Sequence, residues 1–135
     1  MSETLSVGSS AGSGADSSAW LEYFAGGPNA AVFAAPIEDA ANLVVPTLSL
    51  FEVFKRIAQQ RDEGVALQAV AAMQQGRVVD LDAGLTLAAA RLSLQARLPM
   101  ADSIILATAR RHGATLWTQD VDVEGQPGVH YHPKR

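Results

Sequence analysis

The chain has 135 residues, of which 48% are hydrophobic and 18% are charged, and its net charge is −4. These values predict one globular domain with a sizeable core, and they argue against a protein that binds nucleic acid by bulk positive charge. Cysteine is absent, which excludes a disulfide scaffold, a cysteine-ligated zinc site and a thiol nucleophile.

The N-terminal segment, residues 1–15, reads MSETLSVGSSAGSGA and is dominated by serine, glycine and alanine. This composition predicts a flexible segment, and the residues just before Asp16 have poor strand propensity and little to bury. The first 14 residues have neither the basic residues nor the apolar run of a secretory signal, and no stretch of the chain approaches the ~18 apolar residues of a membrane span. We therefore expect a soluble, cytoplasmic protein whose folded domain covers residues 16–135.

Helices and strands alternate along this domain. Asp16 supplies N-cap chemistry, and helices are predicted over residues 19–24, 29–35, 48–63, 65–75, 83–96 and 99–112. Pro36 and Gly64 are expected to stop or break helices, and strands are predicted over residues 42–45, 77–81, 114–118 and 129–132. No hairpin signal joins the strands, which is typical of βαβ units with right-handed crossovers. The pattern predicts an α/β fold of three layers, with a mostly parallel central sheet flanked by helices and an atypical first strand.

Several acids are placed where such a fold concentrates its chemistry. Sites in open α/β sheets form beyond the carboxyl ends of the strands. Asp16 precedes the first helix, Asp120 follows strand 114–118, and Asp102 lies in the first turn of helix 99–112. Asp102 also shares a helical stripe with apolar side chains, and a buried carboxylate is unfavourable unless it is paired or binds a metal. The alternative for Asp102 is an ordinary first-turn acid favoured by the helix dipole.

The other acids have structural explanations as well. Asp16 fits a plain N-cap, Asp120 a turn residue and Asp122 a loop acid. On a helical wheel, Glu52 falls opposite the apolar face of its helix, where an exposed ion pair with Arg56 is the expected interaction. From the residues alone, a shared acidic site and a set of unrelated surface acids both stay open.

Three other motifs are weaker. The stretch GSSAGSG at residues 8–14 lacks the Lys-Ser/Thr of a phosphate-binding loop. His130 and His132 have the spacing of a metal-ligand pair, but their place near the chain end favours surface residues. No nucleophile-elbow motif anchors a Ser–His–Asp triad.

Four segments together resemble the PIN-domain ribonucleases of the VapC toxin type. They are DSSAWL from Asp16, VPTLSLFEV from Val45, LPMADSIILATA from Leu98 and LWTQD from Leu116. The third segment is the most specific, and four acids in this order, each in its expected local context, make a strong set. The resemblance covers roughly Asp16 to the C-terminus and implies a doubly wound parallel sheet with the acids gathered at one end of a PIN-like domain.

The resemblance also implies an activity, an endoribonuclease that depends on Mg²⁺ or Mn²⁺. Its catalytic and metal-binding acids would be Asp16, Glu52, Asp102 and Asp120. Its site-lining residues would be Ser17, Ser18 and Thr118, with Asp122 as an optional further acid. Water would attack the RNA phosphodiester bond and leave 5′-phosphate and 3′-hydroxyl ends. A homodimer and a VapB-type antitoxin that covers the site are the implied partners.

Contact with RNA must be local in a chain that is acidic overall. Candidate cations are the basic residues on the helices, namely Lys55, Arg56, Arg61, Arg91, Arg97, Arg110 and Arg111. Two other functions stay open beside the toxin. One is a catalytically impaired PIN-like protein that acts by binding a partner, which the atypical first strand suggests. The other is a PIN nuclease that processes RNA or DNA without an antitoxin.

Overall fold

The computed structural model describes residues 12–135. Its five strands form one all-parallel sheet in the order β3-β2-β1-β4-β5. The strands are β1 (Ser13–Ala15), β2 (Leu43–Pro46), β3 (Arg77–Val79), β4 (Thr115–Thr118) and β5 (Val129–Tyr131). The helices are α1 (Ser17–Ala25), α2 (Ala30–Ile37), α3 (Thr47–Gln60), α4 (Glu63–Met73), α5 (Ala83–Ala96) and α6 (Met100–Arg111), with 3₁₀ turns at Ala40–Asn42 and Val121–Val123.

The predicted fold class, an α/β domain with a parallel sheet flanked by helices, is confirmed. The domain boundary at residue 16 stays a prediction, because residues 1–11 of the Gly/Ser-rich segment lie outside the described residues. No helix among residues 12–135 combines the length and the apolar character that a membrane span requires.

The predictions that Pro36 and Gly64 stop or break helices are wrong, because both residues lie inside helices. Pro36 is in the last turn of α2, where its missing N–H removes a single intrahelical bond while Glu38 N–H still donates to Ala34 at 2.8 Å. Gly64 is the second residue of α4, within the first turn whose N–H groups have no intrahelical partner. Helix α3 instead ends before Arg61, which separates it from α4. Asp62 then caps α4 by accepting a hydrogen bond from Val65 N–H at 2.9 Å.

Strand β1 is short and made of small residues, yet it lies in the middle of the sheet. It pairs with β2 on one side and with β4 on the other. Gly14 is closely packed, because a Cβ atom at this position would lie 3.3 Å from the carbonyl oxygen of Val44. Ala15 is fully buried in a cluster that includes Trp20 and Phe33. Larger neighbours therefore supply the apolar surface that the strand itself lacks.

Two hydrophobic clusters cover the two faces of the sheet. One packs α1 to α4 against one face and includes Val45, and the other packs α5 and α6 against the opposite face and includes Val44. Consecutive residues of β2 thus point into different cores, as expected of a sheet buried on both sides. Since all strands are parallel, their carboxyl ends lie along one edge, where Asp16 follows β1 and Asp120 follows β4.

Replacing Gly14 by valine is expected to lower the melting temperature by roughly 5–10 °C. The added side chain meets the Val44 carbonyl oxygen in a packed sheet, and overpacking destabilises by about 1–3 kcal/mol. Ser13→Val is the control, because its side chain points to the other face and valine has the higher strand propensity. Thermal unfolding of the three proteins checks the prediction, and an unchanged melting temperature for Gly14→Val would show that β1 has room for larger side chains.

Candidate active site

Asp16 joins three elements at the carboxyl edge of the sheet. Its backbone N–H donates to Trp117 of β4 at 3.1 Å, and its side chain caps α1 by accepting from Ala19 N–H at 2.9 Å. The same carboxylate accepts hydrogen bonds from the hydroxyls of Ser18 at 2.7 Å and Thr118 at 2.5 Å. Burial raises the pKa of Asp16, and these donors partly offset that effect because they favour the charged form.

The end of β4 is held by a second set of contacts. Thr118 Oγ accepts from Asp120 N–H at 2.8 Å, and Ser18 Oγ accepts from Gln119 N–H at 3.2 Å. Asp120 in turn caps the following 3₁₀ turn by accepting from Asp122 N–H at 2.9 Å. The loop that carries Asp120 and Asp122 is therefore fixed by backbone donors.

Three carboxylates converge in this region. Asp102, in the first turn of α6, faces Asp120 and Asp122, and one ligand oxygen from each lies within 4.8 Å of the others. Asp102 and Asp120 are partly buried, whereas Asp122 is exposed. Hard oxygen ligands at this spacing fit the coordination that Mg²⁺ and Mn²⁺ prefer.

Glu52 reaches the site from α3, the helix that begins directly after β2. Its carboxylate accepts a hydrogen bond from Ser17 Oγ at 2.5 Å. The ion pair with Arg56 that the helical wheel favours does not form, although both residues lie in the described part of the chain. Because α3 packs against α1, Glu52 is turned toward the start of α1 and not along its own helix.

The electrostatic centre of the acids is Asp102. Burial, and after it the negative charges of Asp120, Asp16, Asp122 and Glu52 in that order of importance, together raise its pKa from the ordinary 3.8 to about 7. Like charges that are held close together cannot all ionise without a counter-charge. This perturbation shows that the four predicted acids and Asp122 occupy one region of the molecule.

The site also has supports that the sequence did not indicate. Asn29 is fully buried and its side chain donates to Gln119 Oε1 at 3.0 Å and to the backbone of Pro133 at 2.9 Å. Glu22 accepts from Asn29 N–H at 2.7 Å. These contacts hold Gln119, the residue between Thr118 and Asp120, in place. No local signal in the sequence marks Asn29, because the partners of its side chain lie 90 or more residues away.

The imidazole rings of His130 and His132 take no part in these hydrogen bonds, although the backbone N–H of His132 donates to the Thr118 carbonyl at 2.9 Å. The ring of His130 stacks on Trp117 with centroids 3.9 Å apart, and His132 meets Phe33 edge-on at 6.5 Å. The two imidazoles thus pack in an aromatic row along β5, and the group of three possible metal ligands found among residues 12–135 includes neither.

The fold and site define an α/β domain with an acidic centre at the carboxyl edge of a parallel sheet. Residues 15–126 match the family model of the PIN domain, and this match spans most of the chain. The chain therefore belongs to the PIN domain family, and the resemblance read from the four segments is confirmed. No curated protein sequence shows significant similarity to it.

Solved structures with the same fold include components of toxin–antitoxin systems. A toxin–antitoxin complex from Klebsiella pneumoniae has 21% identity and a TM-score of 0.77 over 91% of this chain and 99% of that chain. VapBC2 from Rickettsia felis, bound to a promoter DNA fragment, has 12% identity and a TM-score of 0.68 over 89% of this chain and 96% of that chain. VapC20 from Mycobacterium tuberculosis, a toxin that cleaves the sarcin–ricin loop, has 16% identity and a TM-score of 0.66 over 82% and 90%. At these identities the likeness concerns the fold.

Asp102→Asn is expected to stabilise the metal-free protein at pH 8 and to have a smaller effect at pH 5. The folded-state pKa of about 7 lies above the ordinary 3.8, so the charged carboxylate destabilises the fold fully above pH 7 and ceases to do so as the pH falls toward 4. Melting temperatures in EDTA at both pH values test this. Asp80→Asn, at an exposed acid beyond β3, is the matched control, and an Asp102→Asn shift that is independent of pH would contradict the electrostatic account.

Proposed function

We propose that the chain is an endoribonuclease that depends on Mg²⁺ or Mn²⁺ and acts as the toxin of a VapBC-type toxin–antitoxin pair. The observation that carries the proposal is the convergence of Asp102, Asp120 and Asp122 at the carboxyl edge of a PIN-domain sheet. We further propose that it acts on RNA in the cytoplasm. Toxin–antitoxin proteins among the structures of the same fold support the assignment to a toxin.

A divalent cation fits the site because the acids lack a counter-charge. Burial and the neighbouring negative charges together raise the pKa of Asp102, and a cation among the carboxylates would offset both effects. The residues that we assign to metal binding are Asp16, Glu52, Asp102 and Asp120, joined by Asp122. When bound, the ion supplies Lewis-acid activation of water and neutralises charge at the scissile phosphate.

The chain's own residues hold these acids in place. The hydroxyls of Ser18 and Thr118 orient the Asp16 carboxylate, and the Ser17 hydroxyl orients that of Glu52. With a pKa of about 7, Asp102 holds a proton on its carboxylate in part of the metal-free molecules at neutral pH. That proton leaves when a cation takes its place, so metal binding is expected to strengthen as the pH rises.

Hydrolysis by water is the route that this residue set supports. A route through the RNA 2′-hydroxyl needs a pair of acid–base side chains, for which histidines are the usual choice. His130 and His132 are instead packed against Trp117 and Phe33. We therefore propose products with 5′-phosphate and 3′-hydroxyl ends.

Two apolar surfaces support the proposed partners. A groove of about 650 Å³ between α3 and α4 is lined by Leu50, Phe51, Phe54, Lys55, Ala58, Gln59 and Val70, and it suits the apolar face of an antitoxin helix. On α5, Leu94 is 81% exposed and Leu87 is 58% exposed. The two residues lie two turns apart on the same face of the helix. We assign this second surface to a homodimer contact.

Cleavage of RNA should require Mg²⁺ or Mn²⁺ and stop in EDTA. Asp102→Asn should reduce the rate at saturating Mg²⁺ by at least ~100-fold, because it removes a charged ligand from the centre of the acidic group. Asp80→Asn should leave the rate unchanged. A gel assay of end-labelled RNA measures both variants and also reports the end chemistry. Full activity in EDTA, or in the Asp102→Asn protein, would exclude the proposed site.

A small protein encoded next to this chain should bind it and block cleavage if the chain is a toxin. Val70→Glu should weaken that complex by ~10-fold or more, because it places a charge in the apolar groove. Val78→Glu, on the exposed edge strand β3, introduces the same charge elsewhere and is the control. Calorimetry gives the affinities, and cleavage by both free variants should be retained. Metal-dependent cleavage without an inhibitory neighbour would favour an RNA-processing nuclease instead.

A further inference from the structure

Two adjoining cavities lead away from the acids along α1 and α3. The larger, of about 610 Å³, begins at Ser18 and Gln119, beside Asp16 and Asp120. The smaller, of about 330 Å³, begins at Ser17 and Glu52. Both are lined by Leu21 and Arg56, so they form a continuous cleft, which we call the basic groove.

The basic groove carries a local excess of positive charge in an acidic protein. Four of the ten lysines and arginines of the chain line it, namely Lys55, Arg56, Arg61 and Lys134. Its acids are Glu22 and Glu52, and both are held by other partners, Glu22 by Asn29 N–H and Glu52 by Ser17. Within residues 12–135, none of the four cations forms an ion pair. Among the described residues, the groove therefore presents cations without an ion-pair partner beside an acidic centre.

A second cavity lined by arginines is different. It lies between α5 and α6 and includes Arg91, Arg110 and Arg111. Arg110 donates to the backbone of Pro127 at 2.7 Å, and Arg111 pairs with Asp82 at 3.0 Å. Two of its three cations are thus engaged in holding the fold together. Of these two cavities, only the basic groove is lined by the acidic residue Glu52 and by Ser18 and Gln119, which adjoin Asp16 and Asp120.

We propose that the basic groove binds the sugar–phosphate backbone of single-stranded RNA that flanks the scissile bond, with Arg56 and Arg61 contacting phosphates and Lys134 closing the groove at its rim. This assignment rests on the proposed nuclease function and adds the direction in which the substrate leaves the acids. Unpaired cations along a cleft are the usual means of following a nucleic-acid backbone, and Leu21 and Phe24 add apolar surface that bases can contact.

The proposal is tested by removing two charges from the groove and two from elsewhere. Arg56→Gln/Arg61→Gln alters the groove, and Arg77→Gln/Arg91→Gln gives the same change in net charge on β3 and α5. Both pairs are made in the Asp102→Asn protein, and the affinity for a fluorescein-labelled 12-nucleotide single-stranded RNA is measured by anisotropy at several salt concentrations. This readout does not require cleavage, so it stays informative if the nuclease assignment fails.

The groove variant should bind RNA about tenfold more weakly. The negative slope of log affinity against log salt should become less steep by about 1.4, which corresponds to two lost phosphate contacts. The control should bind within twofold of its parent. In the otherwise unaltered chain, Arg56→Gln/Arg61→Gln should raise KM for RNA with little change in kcat. Equal weakening by both pairs would show that only bulk charge matters and would overturn the proposal. Unchanged RNA affinity in the groove variant would also overturn it and would leave the groove to a protein partner.

Discussion

The buried carboxylate of Asp16 is the interaction on which the rest of the site depends. It follows the central strand β1, caps α1 and accepts the Thr118 hydroxyl from the end of β4. A carboxylate removed from water needs such donors, since burial disfavours its charged form. The same contacts fix the ends of two neighbouring strands against a helix, and the loop that carries Asp120 and Asp122 is built on that junction.

The site places like charges together at the expense of stability. Burial of Asp102 and the negative charges of the other acids, foremost Asp120, together raise its pKa. Natural folds tolerate such arrangements where function requires them, and the cation that we propose for this site would relieve the repulsion. The basic groove extends the electrostatic pattern, because its positive side chains lie beside the negative centre of the site.

Much of the fold could be predicted because it follows from local rules. Helical periodicity, N-caps such as Asp62 and Asp82, and the alternation of helices with strands all act over a few residues. The prediction that Pro36 and Gly64 break helices was wrong, because the cost of each residue to a helix depends on its position within the helix. Strand β1 was difficult to predict for a different reason, since its small residues are suited to narrow gaps that only the neighbouring strands define.

The sequence by itself determined the order of helices and strands, the parallel sheet and four acids in contexts typical of PIN domains. Tertiary structure alone decided how these acids meet. Asp122 joins Asp102 across 20 positions of the chain, Glu52 turns to Ser17 and away from Arg56, and Arg56 and Arg61 line a cleft together with Leu21 of α1. The physical reason is that periodicity reports only which face of a helix is apolar. Contacts between distant residues depend on the register of the parallel strands and on the packing of helices across them.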